Sequence, residues 1–579
     1  MDPWSLLNEK PISMRSLSTL TLLCLSLYSF SQTKVSWGEE FKMHRGSTDL
    51  SIIYTDKSGV YMEESHNLTK VGFFSSRVRR SSILVKLDGN MAEQYRNDFD
   101  KELKGKDFDR LFVFHDKLFL FATNYEKKEN SLHLYAAEID KGSGNMKGDW
   151  QDIYSWTKND KKEEIDYNVT LSEDSSKVVL TGTYTGKEQN RYEIKMMDAN
   201  LRPIGKPLNI SNEFDPKTFQ VQDFVYTTSG NAILIGRIYE YEEGKKKKDK
   251  NLVFMNYSIR VYDLQGKMIK ELVTDIDGKY LVTGKMIQLK NELVLAAFFS
   301  NEKKRKQING MLVQRLDPAT GNVLLTSKMD LNSSMISVVE ADDDEKSDKN
   351  KKKDKDKDDE EEGLVASLVF RNFYITPDNG LVILAESYNR RVVQTSYYSP
   401  GFGPNAVGSW TYNTYVNYYC GDIYMSKLSA TGNIDWLHVL PKSQLESVQI
   451  GHNSSSGGFS VWGFFDGTDA RPFYAGFSSM PGKGVIHLFF NDNTANADVL
   501  QPGKKIKATS RFGMSSCYQL DLDMMTGKYT RKALFSNKDI PTCMPRLGSV
   551  ASNTMWVTGK DDRVFAKSKI VVGKIICAE

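Results

Sequence analysis

Tyr257-Ser258-Ile259-Arg260-Val261-Tyr262-Asp263-Leu264-Gln265-Gly266-Lys267 is a run of β-branched and aromatic residues that ends on an aspartate and a turn carrying glycine. Such side chains suit a pleated, half-buried strand, and Asp with Gly close behind suits a tight turn into an antiparallel partner. Residues 269–273 read as the second arm of that hairpin. The same signature returns at 83–90, 132–145, 192–202, 311–322, 423–433 and 517–528. An eighth copy, 569–576, has no turn after it.

Upstream of most copies stands a second strand signal, at 117–123, 177–182, 231–236, 292–298, 381–385, 485–490 and 554–558, and a further one precedes it at 110–114, 224–227 and 370–375. Each unit therefore holds about four antiparallel strands in roughly 50 residues, close to the length of a propeller blade. Helical periodicity is hard to find after residue 31. The expected fold is all-β, a single β-propeller with four-stranded blades arranged radially. Eight blades are favoured and seven is the nearest alternative; a pair of β-sandwiches or a β-helix fits the unit length less well. The ends bear on closure, because the last copy lacks an outer strand while residues 34–42 look like an outer strand without its inner three. Pairing the two would complete the last blade.

The first 31 residues read as a cleaved signal peptide. Met14-Arg15 precedes an apolar run from Leu17 to Tyr28, followed by Ser29-Phe30-Ser31. A positive start, about twelve apolar residues and small residues at the cleavage site are the pattern of export, and the run is too short to span a bilayer. Asp2 and Glu9 fit poorly ahead of it, so Met14 is the expected start of translation. Cys24 follows Leu23 rather than a small residue, which argues against lipid anchoring. Residues 32–579 then form the propeller. Cys420, Cys517, Cys543 and Cys577 remain, an even number for an oxidising compartment. Cys517 with Cys543 is the first choice of disulfide, being nearest in sequence and in neighbouring repeats; four separate buried thiols is the other reading.

With 77 basic and 74 acidic side chains the net charge is only +3, so the chain has no global field of the kind nucleic-acid binders use. Two insertions differ in character. Residues 342–362 are almost wholly Asp, Glu and Lys, a composition expected to be a disordered loop, and 245–250 reads as a solvated hairpin tip. Residues 388–419 instead mix aromatic side chains with Gly, Ser, Asn and Pro. Large amphipathic rings on adaptable backbone suit recognition, so Tyr397, Tyr398, Trp410, Tyr412, Tyr415, Tyr418 and Tyr419 are the binding candidates. Equally, 414–419 suits an extension of the sixth blade's sheet.

No motif for a reaction survives inspection. The seven histidines have no two within five residues of one another, so helical metal motifs are absent, and no cysteine pair has zinc spacing. Gly476-Phe477-Ser478-Ser479-Met480 fails as a nucleophile elbow at its last position. Residues 278–285 miss phosphate-loop spacing, and Asp275-Ile276-Asp277-Gly278 lacks the downstream Glu of a calcium loop. Neither catalytic residues, nor metal ligands, nor a cofactor are assigned.

Ser29-Phe30-Ser31-Gln32, Gly432-Asn433-Ile434-Asp435-Trp436 with Leu440-Pro441-Lys442-Ser443-Gln444, and Leu488-Phe489-Phe490-Asn491-Asp492-Asn493 resemble uncharacterised exported β-propeller-like proteins of the Bacteroidetes. The resemblance covers most of the chain after residue 31 and implies an envelope location, but brings no activity. A C-terminus on a blade strand, without a sorting domain, favours the periplasm over the medium. Asp317-Pro318-Ala319-Thr320-Gly321-Asn322 more loosely resembles the blade turn of two eight-bladed families. These are the pyrroloquinoline-quinone dehydrogenases, whose adjacent cysteines are missing here, and the propeller lipoprotein of outer-membrane assembly. The expectation is a periplasmic or secreted, monomeric, non-enzymatic module that binds an envelope protein, peptide or glycan, without nucleic acid or a transmembrane segment. The alternative is a glycan- or peptide-hydrolysing propeller with carboxylates at its central channel.

Overall fold

The computed structural model describes residues 33–577 apart from several internal stretches, the longest being 341–367 and 455–471. Residues 1–31, the charged run 342–362 and the tip 245–250 lie outside the described residues. Among the described residues the chain is strand throughout, save two 3-10 turns, and no helix is long and apolar enough to cross a membrane.

Among the described residues the strands build eight antiparallel sheets of four or five strands, drawn from neighbouring stretches of chain except for the outer edge of the last, and one two-stranded parallel sheet. The first sheet, Ser47–Asp56, Gly59–Val71, Ser76–Leu87 and Glu93–Asp98, sets the plan, every strand pairing with the one before it. All eight copies of the sequence signature fall on the third strand of their sheet, from Ser76–Leu87 to Lys569–Ile576. Their aspartates shape the turn that follows. Asp263 accepts the N–H groups of Gln265 and Lys267, both at 2.9 Å, and Asp198 those of Asn200 and Arg202 at 2.8 and 2.9 Å. Asp523 does the same for Met525 and Thr526 at 3.0 and 2.7 Å. These backbone donors hold the carboxyls of Asp198, Asp317 and Asp523 below the ordinary carboxylate value. One turn residue takes the left-handed conformation, Gly266 at φ 78° and Gly527 at φ 70°, whereas the third sheet places Leu201 there at φ 58°.

A four-stranded sheet has two faces to bury, and each is covered by a neighbouring sheet. Tyr61 and Leu84 of the first sheet pack with Leu118 and Leu120 of the second. Phe121 and Leu134 of the second meet Val169 and Leu180 of the third, and Ile194 of the third meets Leu234 of the fourth. Ile259 joins Leu295, Phe298 joins Ile383, and Met425 joins Leu488, linking fourth to fifth, fifth to sixth and sixth to seventh. Phe489 and Cys517 share a cluster with Val557 and Ile575 of the eighth sheet. Trp556, Ile570 and Val572 of that eighth sheet then pack with Val60, Met62 and Ile83 of the first.

The eighth sheet draws its outer strand from the other end of the chain. Lys34–Trp37 pairs antiparallel with the last strand, Lys34 opposite Ile576 and Trp37 opposite Gly573, and Phe41–Lys42 continues the edge opposite Ile570 and Lys569. Trp37 meets Phe535 edge-on, with ring centroids 5.5 Å apart, and lies so close over Gly573 that a Cβ there would come within 2.7 Å of its ring.

Two points that the sequence leaves open can be described. Residues 388–399 and 409–419 continue two strands of the sixth sheet, Leu381–Ser399 and Ser409–Leu428, the sheet extension being one of the two readings of that stretch. Cys420, Cys517, Cys543 and Cys577 are free buried thiols, Cys517 and Cys543 being hydrogen-bonded neighbours rather than a formed disulfide.

Trp37→Ala is expected to cost about 2–3 kcal/mol, as for a large aromatic lost from a partly buried site, and removal of residues 34–42 to cost more. Thermal melts measure both, and a truncated chain that melts like the intact one would show that the eighth sheet does not need this strand.

Candidate functional site

The sixth sheet departs from the common plan. Its second and third strands stay paired from Leu381 opposite Leu428 out to Ser399 opposite Ser409, with a bulge between Glu386 and Tyr388 where they leave the body of the sheet. Gln444–Ser454 pairs with the free edge of the extension, from Cys420 opposite Gln444 to Thr411 opposite Ser454. The result is a three-stranded apron. Strand alternation turns Val416, Tyr418 and Cys420 to its inner face, where they are buried, while Tyr415 and Tyr419 are half-buried on the other.

Tyr418 is therefore a core residue and not a surface anchor. Its ring stacks on Tyr388 at 6.4 Å, and Tyr388 in turn lies under the guanidinium groups of Arg371 and Arg546, at 5.3 and 5.7 Å. Tyr397, Tyr398, Trp410 and Tyr412 lie on the apron's strands, with side chains outside the described residues. Of the seven candidates, Tyr415, Tyr418 and Tyr419 have described side chains, and strand alternation sets Tyr418 apart from the other two.

What anchors the apron is the segment after Leu440, to which the sequence alone assigns no role beyond a resemblance. After Pro441, the polar residues Lys442, Gln444 and Glu446 alternate, and all three are buried. The Lys442 ammonium donates to Glu386 at 2.9 Å, to the Cys420 carbonyl at 3.0 Å and to Gln444 at 2.8 Å, so its three protons are all placed. Arg371 holds the second oxygen of Glu386 through two nitrogens, at 2.9 and 2.5 Å. Burial alone would raise the Glu386 carboxyl, but the two cations hold it below its ordinary value. The Cys420 thiol beside it is pushed up to about 12 by burial.

The network reaches the next two sheets. Gln444 donates to the Asn491 carbonyl at 2.6 Å and accepts the Gly476 N–H at 2.7 Å. The Asn491 amide reaches the carbonyls of Tyr474 and Cys543 at 3.1 and 2.8 Å. Glu446 takes the N–H groups of Phe473, Tyr474 and Ala475 at 2.8–2.9 Å, although burial still raises its carboxyl.

Where Glu446 ends this network, a cavity of about 1020 Å³ opens. Phe473, Tyr474 and Phe512 supply aromatic wall, Tyr474 and Phe512 stacking at 5.7 Å, while Lys538, Asp539 and Lys560 bring charge of both signs. A mostly preformed concave space with aromatic faces and a few polar groups is the usual form of a ligand site. Its walls come from segments around residues 446, 473, 512, 540 and 560, which no sequence spacing brings together.

Between the seventh and eighth sheets His487 binds Asp521 through Nδ1 at 2.5 Å and hydrogen-bonds the Cys577 thiol. Thiol, imidazole and carboxylate stand in the order of a catalytic triad, but Cys577 and His487 are buried and neither lines the cavity beside Glu446. Burial would lower the His487 value, and the hydrogen bonds to Asp521 and Cys577 carry it up to about 9.

No family model matches the chain, and no curated protein matches it. A solved protein of unknown function from Dyadobacter fermentans is 9% identical over 72% of this chain and 96% of its own, with a TM-score of 0.30. The endo-arabinanase of Bacillus licheniformis is 15% identical over 51% of this chain and 97% of its own, at 0.21. Prolyl oligopeptidase B from Galerina marginata is 12% identical over 64% of this chain, at 0.28, and the chain spans only 39% of its length. Scores of this size bear on neither fold nor activity.

Lys442→Met leaves a buried carboxylate short of a partner and is expected to cost about 3–5 kcal/mol. Urea melts read the loss, which Lys442→Met/Glu386→Gln should partly recover. Because the folded value of His487 lies above its ordinary 6.5, its contribution is whole below pH 6.5 and is lost as pH rises through about 9. Stability should fall across that window by on the order of 3 kcal/mol, and His487→Gln should flatten the slope in urea melts across the same range.

Proposed function

We propose that the chain is an exported, closed eight-bladed propeller that binds an envelope protein, peptide or glycan in the cavity beneath the sixth-sheet apron, without catalysing a reaction. The cyclic series of shared cores, ending with Trp556 and Val572 against Val60 and Ile83, supports the ring. The borrowed outer strand Lys34–Trp37 supports its closure. Export to the periplasm or medium follows from the pattern at 14–31, the balanced charge speaks against a nucleic-acid partner, and a monomer completes the proposal.

The observation that carries the binding role is the cavity wall: aromatic faces for sugar rings or apolar side chains, with lysines and an aspartate for polar ends. A hydrolase would need carboxylates free to trade protons. Glu446, the inner carboxylate of this cavity, is committed to three backbone N–H groups, which favours binding over that alternative.

Phe473→Ala/Lys560→Ala is expected to weaken capture of envelope peptides or glycans about tenfold or more, at about 1.4 kcal/mol or above, with an unchanged circular-dichroism spectrum. Tyr415→Ala/Tyr419→Ala tests the apron's outer face in the same glycan-array and pull-down assays. Retention of every ligand by both variants would refute the proposed site, and turnover of a captured glycan or peptide that Glu446→Gln abolishes would establish the enzyme instead.

A further inference from the structure

Where the chain enters the first sheet, it assembles a set of metal-ligating side chains from two separate segments. His66 stands on Gly59–Val71, Asp98 ends Glu93–Asp98, and Asp100 follows two residues later. One ligand atom from each lies within 4.8 Å of the other two, and His66 Nε2 is 3.1 Å from Asp100 Oδ1. Bonds of about 2.1 Å to a tetrahedral ion hold ligand atoms about 3.4 Å apart, so small side-chain rotations bring the three onto one centre.

Two further observations set this apart from a chance meeting of acids. His66 is only 5% exposed, its Nδ1 finds no hydrogen-bond partner among the described residues, and Nε2 points at the carboxylates. A buried imidazole gives up its hydration, and here the polar contact it makes is with this cluster. The ligands are also held by their neighbours: Ser81 donates its hydroxyl to Asp100 Oδ1, the oxygen that His66 Nε2 faces, and Asp98 accepts the Asp100 N–H at 2.9 Å. Such outer contacts fix the aim of metal-binding carboxylates.

A second imidazole stands alongside. The backbone N–H of His44 donates to Glu64, a fully buried carboxylate that Arg96 also holds. That contact pins residue 44 so that the two imidazole rings lie with centroids 5.7 Å apart and planes tilted by 54°. His44 is exposed and free to turn toward the cluster.

We propose that His66, Asp98 and Asp100, with His44 as fourth ligand, bind one Zn²⁺ ion. Mixed imidazole and carboxylate donors at this spacing suit zinc; calcium and magnesium call for oxygen donors in larger number. The ion's role is structural. Residue 44 lies between Phe41–Lys42, paired with the last strand of the eighth sheet, and Ser47–Asp56, the first strand of the first sheet. Zinc bound there ties the connection between those two sheets to the wall of the first.

The test uses the full chain, stripped with chelator and then dialysed against Zn²⁺. One zinc per chain is expected by elemental analysis, with a thermal midpoint several degrees above the metal-free protein and no such rise with Mg²⁺. Asp98→Asn/Asp100→Asn, close to isosteric, should bind zinc at least a hundredfold more weakly and lose the thermal gain. His44→Ala, at an exposed position that leaves folding intact, should weaken binding about tenfold. Zinc held equally by wild type and both variants, or a wild-type midpoint that zinc does not raise, would overturn the proposal.

Discussion

Each sheet of this protein has two apolar faces and can cover neither by itself. The first sheet relies on the second through Tyr61 and Leu84, and on the eighth through Val60, Met62 and Ile83. The same dependence repeats around the chain, so the joint between first and last sheets carries as much as any other, although its partners lie some 500 residues apart in sequence. The eighth sheet ends in an unpaired edge unless Lys34–Trp37 fills it. An open strand edge invites pairing with another chain, and the N-terminal strand covers the apolar edge of Lys569–Ile576 with a shorter one while placing Trp37 over the shared core.

The second constraint is polar. Lys442 and Glu386 are both fully buried, and bringing two charges out of water costs more than a single ion pair returns. The cost is offset because the charges are not a lone pair: Arg371, Gln444 and the Cys420 carbonyl satisfy what remains, and the chain of contacts continues through Asn491 to the backbone of the eighth sheet. Hydrogen bonds with fixed directions set one arrangement of apron, seventh sheet and eighth sheet where apolar packing alone would tolerate several. The cavity beside Glu446 inherits its shape from that arrangement.

The repeated strands were legible because their cause is local. An aspartate that binds the backbone two to four residues onward needs nothing from the rest of the fold, so its signature marks the third strand of every sheet but the sixth, where Ser429 takes its place, and the last. The apron stays ambiguous in sequence for the opposite reason. Gly, Ser, Asn and Tyr together suit both a recognition loop and a strand, and only the edge offered by Gln444–Ser454 decides for the strand and buries Tyr418. The cavity and the buried relay of His487, Asp521 and Cys577 were illegible because their members come from different sheets. Histidines spaced too widely for any linear motif still meet carboxylates once strands pair, as His66 does with Asp100.

Lys442-Ser443-Gln444 and Asn491-Asp492-Asn493, two of the strings on which the proposed likeness to exported propeller-like proteins rests, sit almost entirely in the buried network. Asn491 and Asp492 are fully enclosed, Asp492 holding Arg531 at 2.8 Å and Thr509 at 3.0 Å. Their polar groups face other polar groups of the same chain, not the cavity, whose wall is Phe473, Tyr474, Phe512 and Lys560. That likeness therefore speaks to how the sixth, seventh and eighth sheets are joined. What the cavity holds depends on a largely different set of side chains, with only Glu446 and Asn537 shared between wall and network, so shared architecture in such proteins is compatible with unlike ligands.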